Sequence, residues 1–196
     1  VDDYVDAGSG STLDNLGPLT YSAWIFPRTL SDAKDILGKT IYMRFYLFNN
    51  YLGFWFMCSG NNFSVLSFST IGSANQWTHV AVTWDGDITS ATAGKFYING
   101  VQSNFDPSSW GTGSKINDSA TNQRIGTVNL NNYFNGLIDE VRIYNRALSQ
   151  SDIQALYNAG TDTTSPSIPT SLSATAFSSS QINLAWTAST DAVGVT

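Results

Sequence analysis

Of the fifteen acidic side chains in this chain of 196 residues, one is a glutamate, Glu140. Cutting a glycosidic bond by acid–base chemistry takes two carboxyl groups flanking the reacting carbon. The aspartates do not supply such a pair on a strand. Asp85 and Asp87 flank a turn glycine, and Asp2 and Asp3 lie at the terminus. His79 is the only histidine and Cys58 the only thiol. A cysteine nucleophile needs its histidine in contact, whereas alternation puts Cys58 on the core side of its strand. His79 sits mid-strand and reads as a packed or hydrogen-bonded sheet residue. One histidine with one cysteine also falls short of the usual zinc ligand count. The inventory argues against an enzyme.

A binding chemistry is better supplied. Tyr42, Arg44, Tyr46, Tyr51 and Trp55 fall within fourteen residues. Sugar rings stack their C–H faces on aromatic planes, and their hydroxyls want polar neighbours. Arg44 has the planar fork that pairs a sulfate or a uronate with two parallel bonds. Trp110 stands in a Gly/Ser-rich loop, where an indole suggests a contact or a plug. Two readings of the Tyr/Trp set stand together: an open ligand face, or a second small core covered by the loop at 103–121.

The element that must position this set is a hairpin. Residues 41–48 and 51–58 alternate and flank Asn49-Asn50, a pair that tolerates the positive φ of a type I′ turn. A two-residue loop sets Phe48 opposite Tyr51, Tyr46 opposite Gly53, and Arg44 opposite Trp55. Ile41, Met43, Phe45, Leu47, Leu52, Phe54, Phe56 and Cys58 then form the core face. Slipping one strand by a single residue would exchange its faces.

Elsewhere the same pattern repeats. Strands are expected at 19–26, 35–38, 63–68, 76–84, 95–99, 124–128 and 133–144, with turn residues between them. A long loop is expected at 103–121. Val80, Val82 and Trp84 share one face, with Trp77, His79 and Ala81 on the other. In the last strand Asp139, Val141 and Ile143 fall on one face. Ser149 and Asp152 form a capping-box pattern before Ile153, Leu156 and Tyr157, and Gly160 is placed as the helix stop. Many short strands and one short helix argue for an all-β sandwich.

Hydrophobic residues make up 42% and aromatics 13%, enough for a buried core. The formal charge of −6 lacks the basic face that a nucleic acid needs. No apolar run reaches membrane-spanning length, which speaks against insertion by a helix. A single cysteine excludes an intrachain disulfide, and exported domains without cystine remain compatible with it.

Three motifs carry a resemblance. G-L-I-D-E-V-R-I-Y-N-R-A-L-S with the following I-x-x-L-Y helix is similar to the C-terminal signature of bacterial laminin-G-like (concanavalin A-like) jelly-roll domains. V-D-D-Y-V-D at the start and Q-W-T-H-V-A-V-T-W-D-G at 76–86 match the same family, so the resemblance covers residues 1–160. It implies a two-sheet antiparallel jelly-roll sandwich with one short C-terminal helix, and an edge strand that begins before Val1. Related glucanases use a Glu-x-Asp-x-x-Glu strand, which one glutamate cannot make. The resemblance also implies a structural calcium ion held by Asp139 and Asp3 with backbone carbonyls. The alternative for Asp139 is a salt bridge to Arg142 or hydrogen bonds to a turn.

Beyond the helix, 161–170 is a polar linker containing two prolines. Residues 171–196 resemble the first two strands of a fibronectin type III module. Two strands cannot close such a core, so pairing with the edge of the first domain or with another chain is expected. Taken together, the chain reads as a non-catalytic carbohydrate-binding module of a larger secreted or surface bacterial protein, directing its other domains to a polysaccharide, with anionic polymers included because Arg44 could pair a sulfate or a uronate. The competing reading is a structural or adhesive spacer without a glycan site.

Overall fold

The computed structural model describes residues 3–40, 42–90, 93–103, 105–109, 111–161, 167–178 and 180–190, with 105–109 as backbone alone. The chain divides into two compact units, Val1–Ala155 and Leu156–Thr196. The sequence places that boundary near residue 160.

Among the described residues of the first unit, twelve strands form two antiparallel sheets. They are β1 (Val5–Asp6), β2 (Leu19–Pro27), β3 (Ala33–Lys39), β4 (Met43–Phe48), β5 (Tyr51–Phe56), β6 (Phe63–Thr70), β7 (Thr78–Trp84), β8 (Gly94–Ile98), β9 (Val101–Ser103), β10 (Phe105–Ser109), β11 (Gln123–Ile125) and β12 (Gly136–Tyr144). The larger sheet runs β1-β11-β3-β4-β5-β6-β10 and the smaller β12-β2-β7-β8-β9. The all-β sandwich expected from the alternating segments is the fold observed.

Alternation decides what lies between the sheets. Phe45, Leu47, Leu52, Phe54 and Phe56 of the larger sheet and Tyr21, Ala23, Ile25, Val80, Val82 and Trp84 of the smaller belong to one buried cluster. Aromatic rings join the layers: Phe56, stacked 4.7 Å from Phe63 of its own sheet, lies 4.6 Å from Trp84 of the other, and Tyr21 meets Phe54 edge-on at 6.4 Å. Burying a Phe side chain of this kind contributes about 2–3 kcal/mol of transfer free energy, before the cavity its loss would leave.

The hairpin register is as the sequence predicts. Arg44 pairs with Trp55, Tyr46 with Gly53 and Phe48 with Tyr51. Asn49 and Asn50 take φ values of 47° and 72°, the left-handed geometry of a type I′ turn. Ile41 lies outside the described residues.

Three expectations need correction. The segment 103–121 is not all loop, because β10 pairs with β6 and extends the larger sheet by one strand. In α1 (Gln150–Thr161) the Ser149–Asp152 capping box forms in both directions, with N–H to side-chain distances of 3.1 and 3.2 Å. The helix nevertheless runs through Gly160 to Thr161. The third concerns Asp139. The register of β12 against β2 shifts between Asp139 and Arg142, and Glu140 takes a φ of 49°. This bulge puts an extra residue into the strand. Ile138, Val141 and Ile143 therefore all pack on the core, and Asp139 is exposed. The uninterrupted alternation that aimed Asp139 inward does not hold.

In the second unit β13 (Thr170–Ser178) and β14 (Gln181–Thr187) pair antiparallel as a two-stranded sheet. The segment expected to seek another edge finds its ladder partner in itself. Leu172, Phe177, Ile182, Leu184 and Trp186 are exposed.

Candidate functional site

The outer side of the larger sheet is set by the same parity that fills the core. On β4 the outward residues are Arg44, Tyr46 and Phe48; on β5 they are Tyr51, Gly53 and Trp55; on β6 they include Leu66 and Phe68. A groove of about 300 Å³ opens there, lined by Ala33, Arg44, Tyr46, Phe48, Trp55 and Leu66. Arg44, Tyr46 and Trp55 are thus brought together as the sequence anticipates. Tyr51 is 37% exposed beside Phe48 at the hairpin end. Tyr42 is half-buried in the turn before β4 and does not line the groove. Trp110 lies outside the described residues. The described backbone of 105–109 joins the sheet at its β6 edge, so this part of the loop runs alongside the sheet.

Tyr46 is held by shape. Its ring lies across Gly53, where an added Cβ would run into ring carbons. A glycine opposite an aromatic lets the ring lie down on the strand. The Arg44 guanidinium carbon stands 4.9 Å from the centre of the same ring, within cation–π range. Burial pushes the Tyr46 hydroxyl up, partly offset by a hydrogen bond with Ser64 and by Arg44.

Asp35, bonded to Arg44 behind the groove, is the residue that sequence reasoning misses. A register shift in β3 between Asp35 and Leu37 sets Asp35 opposite Tyr46, on the face that carries Arg44, and its side chain is completely buried there. Its Oδ1 accepts from Arg44 Nε at 2.8 Å and from Arg44 Nη2 at 2.6 Å. Its Oδ2 accepts from the Val128 N–H at 3.0 Å. Burial pushes the Asp35 carboxyl up, and Arg44 with the Val128 N–H pulls it back only in part. No sequence signal marks this, because a bulge inside a short strand has no signature without its partner strand. Ala33, Phe48 and Leu66 are the lining residues the sequence reading passes over; β6 parity adds Leu66.

The remaining candidates fall elsewhere. His79 is 2% exposed on the outer side of the smaller sheet, with Nε2 2.9 Å from Ser22 Oγ and its ring 5.5 Å from Trp24. Burial and the Arg142 charge push it down to about 4. It is a packed sheet histidine. Cys58 belongs to the core, and burial pushes its thiol up.

For calcium, Asp3 and Asp139 are both exposed. Asp3 borders a hollow of about 210 Å³ beside Ile138, not Asp139. Asp139 Oδ1 accepts from the Glu140 N–H at 2.8 Å, and Arg142 pairs instead with Glu140 at 2.6 Å. Among the described residues no three acidic, histidine or cysteine side chains gather as a metal site. The described side chains do not make a complete cation site.

A second crevice, about 480 Å³, is lined by Asn15, Leu16, Trp84, Ile88, Lys115 and Asn117 among others. Its polar groups are engaged. Lys115 pairs with Asp118 at 2.8 Å, and the Trp84 indole donates to Asp87 O at 3.0 Å. Asp118 also receives the buried Lys39 at 3.0 Å, and Lys39 bonds Asp14 at 2.8 Å. Burial raises Asp118, but Lys115, Asn15 and Lys39 more than offset it and hold the carboxyl below its usual range. This cluster ties the loop at 115–118 to β3.

A two-sheet antiparallel sandwich with an aromatic groove on its outer face defines a lectin-like β domain. The chain belongs to the concanavalin A-like lectin/glucanases superfamily, whose laminin-G-like profile matches residues 1–154. Among solved structures it is similar to the binding domain of Paraclostridial Mosquitocidal Protein 1, at 18% identity and a TM-score of 0.60, covering 80% of this chain and 41% of that one. It is similar to a structure from Bacteroides ovatus described as a candidate carbohydrate binding protein, at 21% identity and a TM-score of 0.57, covering 77% and 43%. It also resembles botulinum neurotoxin type C, whose uptake by cells is described as dependent on two ganglioside molecules, at 17% identity and a TM-score of 0.57, covering 80% and 39%. The chain spans about two fifths of the length of these structures. No curated protein sequence matches it.

Proposed function

We propose that residues 1–155 form a non-catalytic carbohydrate-binding module, and that its site is the groove on the outer face of β4, β5 and β6. One observation carries the reading: the aromatic side chains of that face flank an open groove with a polar guanidinium edge at Arg44. Among the described residues the groove lining contains no carboxylate, so it offers the contacts for holding a sugar and not the pair of acids for cutting one. The similarity to binding domains supports the same direction, including one described as a candidate carbohydrate binding protein.

Such a module acts by raising the effective concentration of attached domains at a polymer surface. The reading therefore includes a secreted or cell-surface parent protein with further domains. The test is affinity electrophoresis in gels containing polysaccharides. Retardation of the wild type that is lost in Trp55→Ala, with the circular dichroism unchanged, is the expected result. Retardation unchanged by Trp55→Ala discards this face as the site. A spacer without a glycan site would run freely in every gel.

Calcium is proposed only as a structural ion held by Asp139 and Asp3 together with backbone carbonyls. Two exposed carboxylates predict weak binding. A melting temperature identical in calcium and in chelator would remove the ion from the account.

A further inference from the structure

Among the described residues Arg44 is the one charged side chain lining the groove, and its charge is already matched. Two of its nitrogens, Nε and Nη2, converge on Asp35 Oδ1 at 2.8 and 2.6 Å. Asp35 is fully buried, and its second oxygen takes the Val128 N–H, so the carboxylate is fixed in place. The guanidinium is further packed against the Tyr46 ring. What faces the groove is the remaining N–H edge of a neutralised pair. A sulfate or uronate would have to displace a buried, doubly bonded carboxylate to obtain the same fork, and it would leave that carboxylate unpaired in the interior. The other lining side chains, Ala33, Tyr46, Phe48, Trp55 and Leu66, are uncharged. The whole chain carries a formal −6, so a polyanion is repelled before it arrives.

We infer that the groove takes a neutral glycan, stacked on its aromatic walls and hydrogen-bonded to the free edge of Arg44, and that buried Asp35 is the residue that sets this preference. The inference rests on the groove being the carbohydrate site, and its failure can be told apart from the failure of that reading. Hydroxyl groups accept from a guanidinium edge without needing its net charge. Affinity for such a ligand should be nearly independent of salt, because screening acts on charge pairs.

The experiment is affinity electrophoresis of the full chain against neutral polymers (β-glucan, xylan, galactomannan) and anionic ones (carrageenan, alginate, pectate), each at low and high salt. Retardation by a neutral polymer alone, unaltered by salt, is expected. Retardation by an anionic polymer, alone or beside a neutral one, overturns the inference and leaves the carbohydrate reading standing. Free migration in every gel overturns the reading itself. Asp35→Asn supplies the second arm. The amide keeps an oxygen for Arg44 but removes the countercharge, so the folded variant should gain salt-sensitive affinity for carrageenan of roughly tenfold, the size of one charge-assisted bond. A folded Asp35→Asn protein with the selectivity of the wild type refutes the role given to Asp35. If that variant does not fold, the wild-type panel still decides between neutral and charged ligands.

Discussion

Gly53 is predicted to be glycine for the sake of Tyr46, and Gly53→Ala tests this. Its φ is not among the positive ones, so alanine can adopt the backbone. Ordinarily the change would help, since glycine in a strand interior costs roughly 0.5–1 kcal/mol relative to alanine. Here the new methyl collides with carbons of the Tyr46 ring. Overpacking costs about 1–3 kcal/mol, and a half-buried ring can swing toward solvent, which favours the lower end. The net expectation is a loss of about 1 kcal/mol, or about 2–4 °C in melting temperature for a domain of this size. In a Tyr46→Ala background the obstacle is gone, and the same Gly53→Ala change should be neutral or stabilising. Urea unfolding of the four proteins gives the coupling directly, with about 1–2 kcal/mol expected. Equal effects of Gly53→Ala in both backgrounds would refute the packing argument and, with it, the shape assigned to the groove.

Two further outcomes follow from buried charge. His79 has its ordinary value of 6.5 in the unfolded chain and is pushed down to about 4 by burial and Arg142 in the folded one. Between those values the unfolded chain binds more protons, so stability must fall as pH drops from 6.5 toward 4, by about 3 kcal/mol in full. Urea midpoints across that range should show the slope, and His79→Gln should flatten it; an unchanged slope in the variant contradicts the assignment. Asp35→Ala leaves Arg44 and the buried Val128 N–H without their acceptor, at about 2–3 kcal/mol, given that the Arg44 side chain is 22% exposed. A midpoint within error of the wild type would show that the pair contributes nothing.

The hairpin was readable because two-residue periodicity and an Asn-Asn turn each specify one register, and they agree. Core residues of β2 and β7 were readable for the same reason of period. The bulges were not. At Glu140 an extra residue reverses the parity of everything before it, so Asp139 faces solvent while Val141 and Ile143 keep their core positions. Nothing in D-E-V-R announces that step, because a bulge is defined against the partner strand. At Asp35 the same kind of shift sets a carboxylate on the Arg44 face, where it is buried, although local sequence places it in an ordinary short strand. The Arg44–Asp35 pair follows from adjacency of β3 and β4, a tertiary fact. Arg44 was therefore visible as a group of the site and invisible as a neutralised one. The β10 strand was hidden by Pro107 and its flanking Gly and Ser residues, which suit an edge position as well as a loop.

The central claim is that sugar meets this protein on the outer face of β4, β5 and β6. Titration of the nitrogen-15-labelled chain with a neutral oligosaccharide, followed through the tryptophan indole N–H signals, tests it most directly. The account predicts that the Trp55 signal moves in proportion to saturation while that of Trp84, buried between the sheets, stays in place. Movement of other indoles with Trp55 unmoved would contradict it.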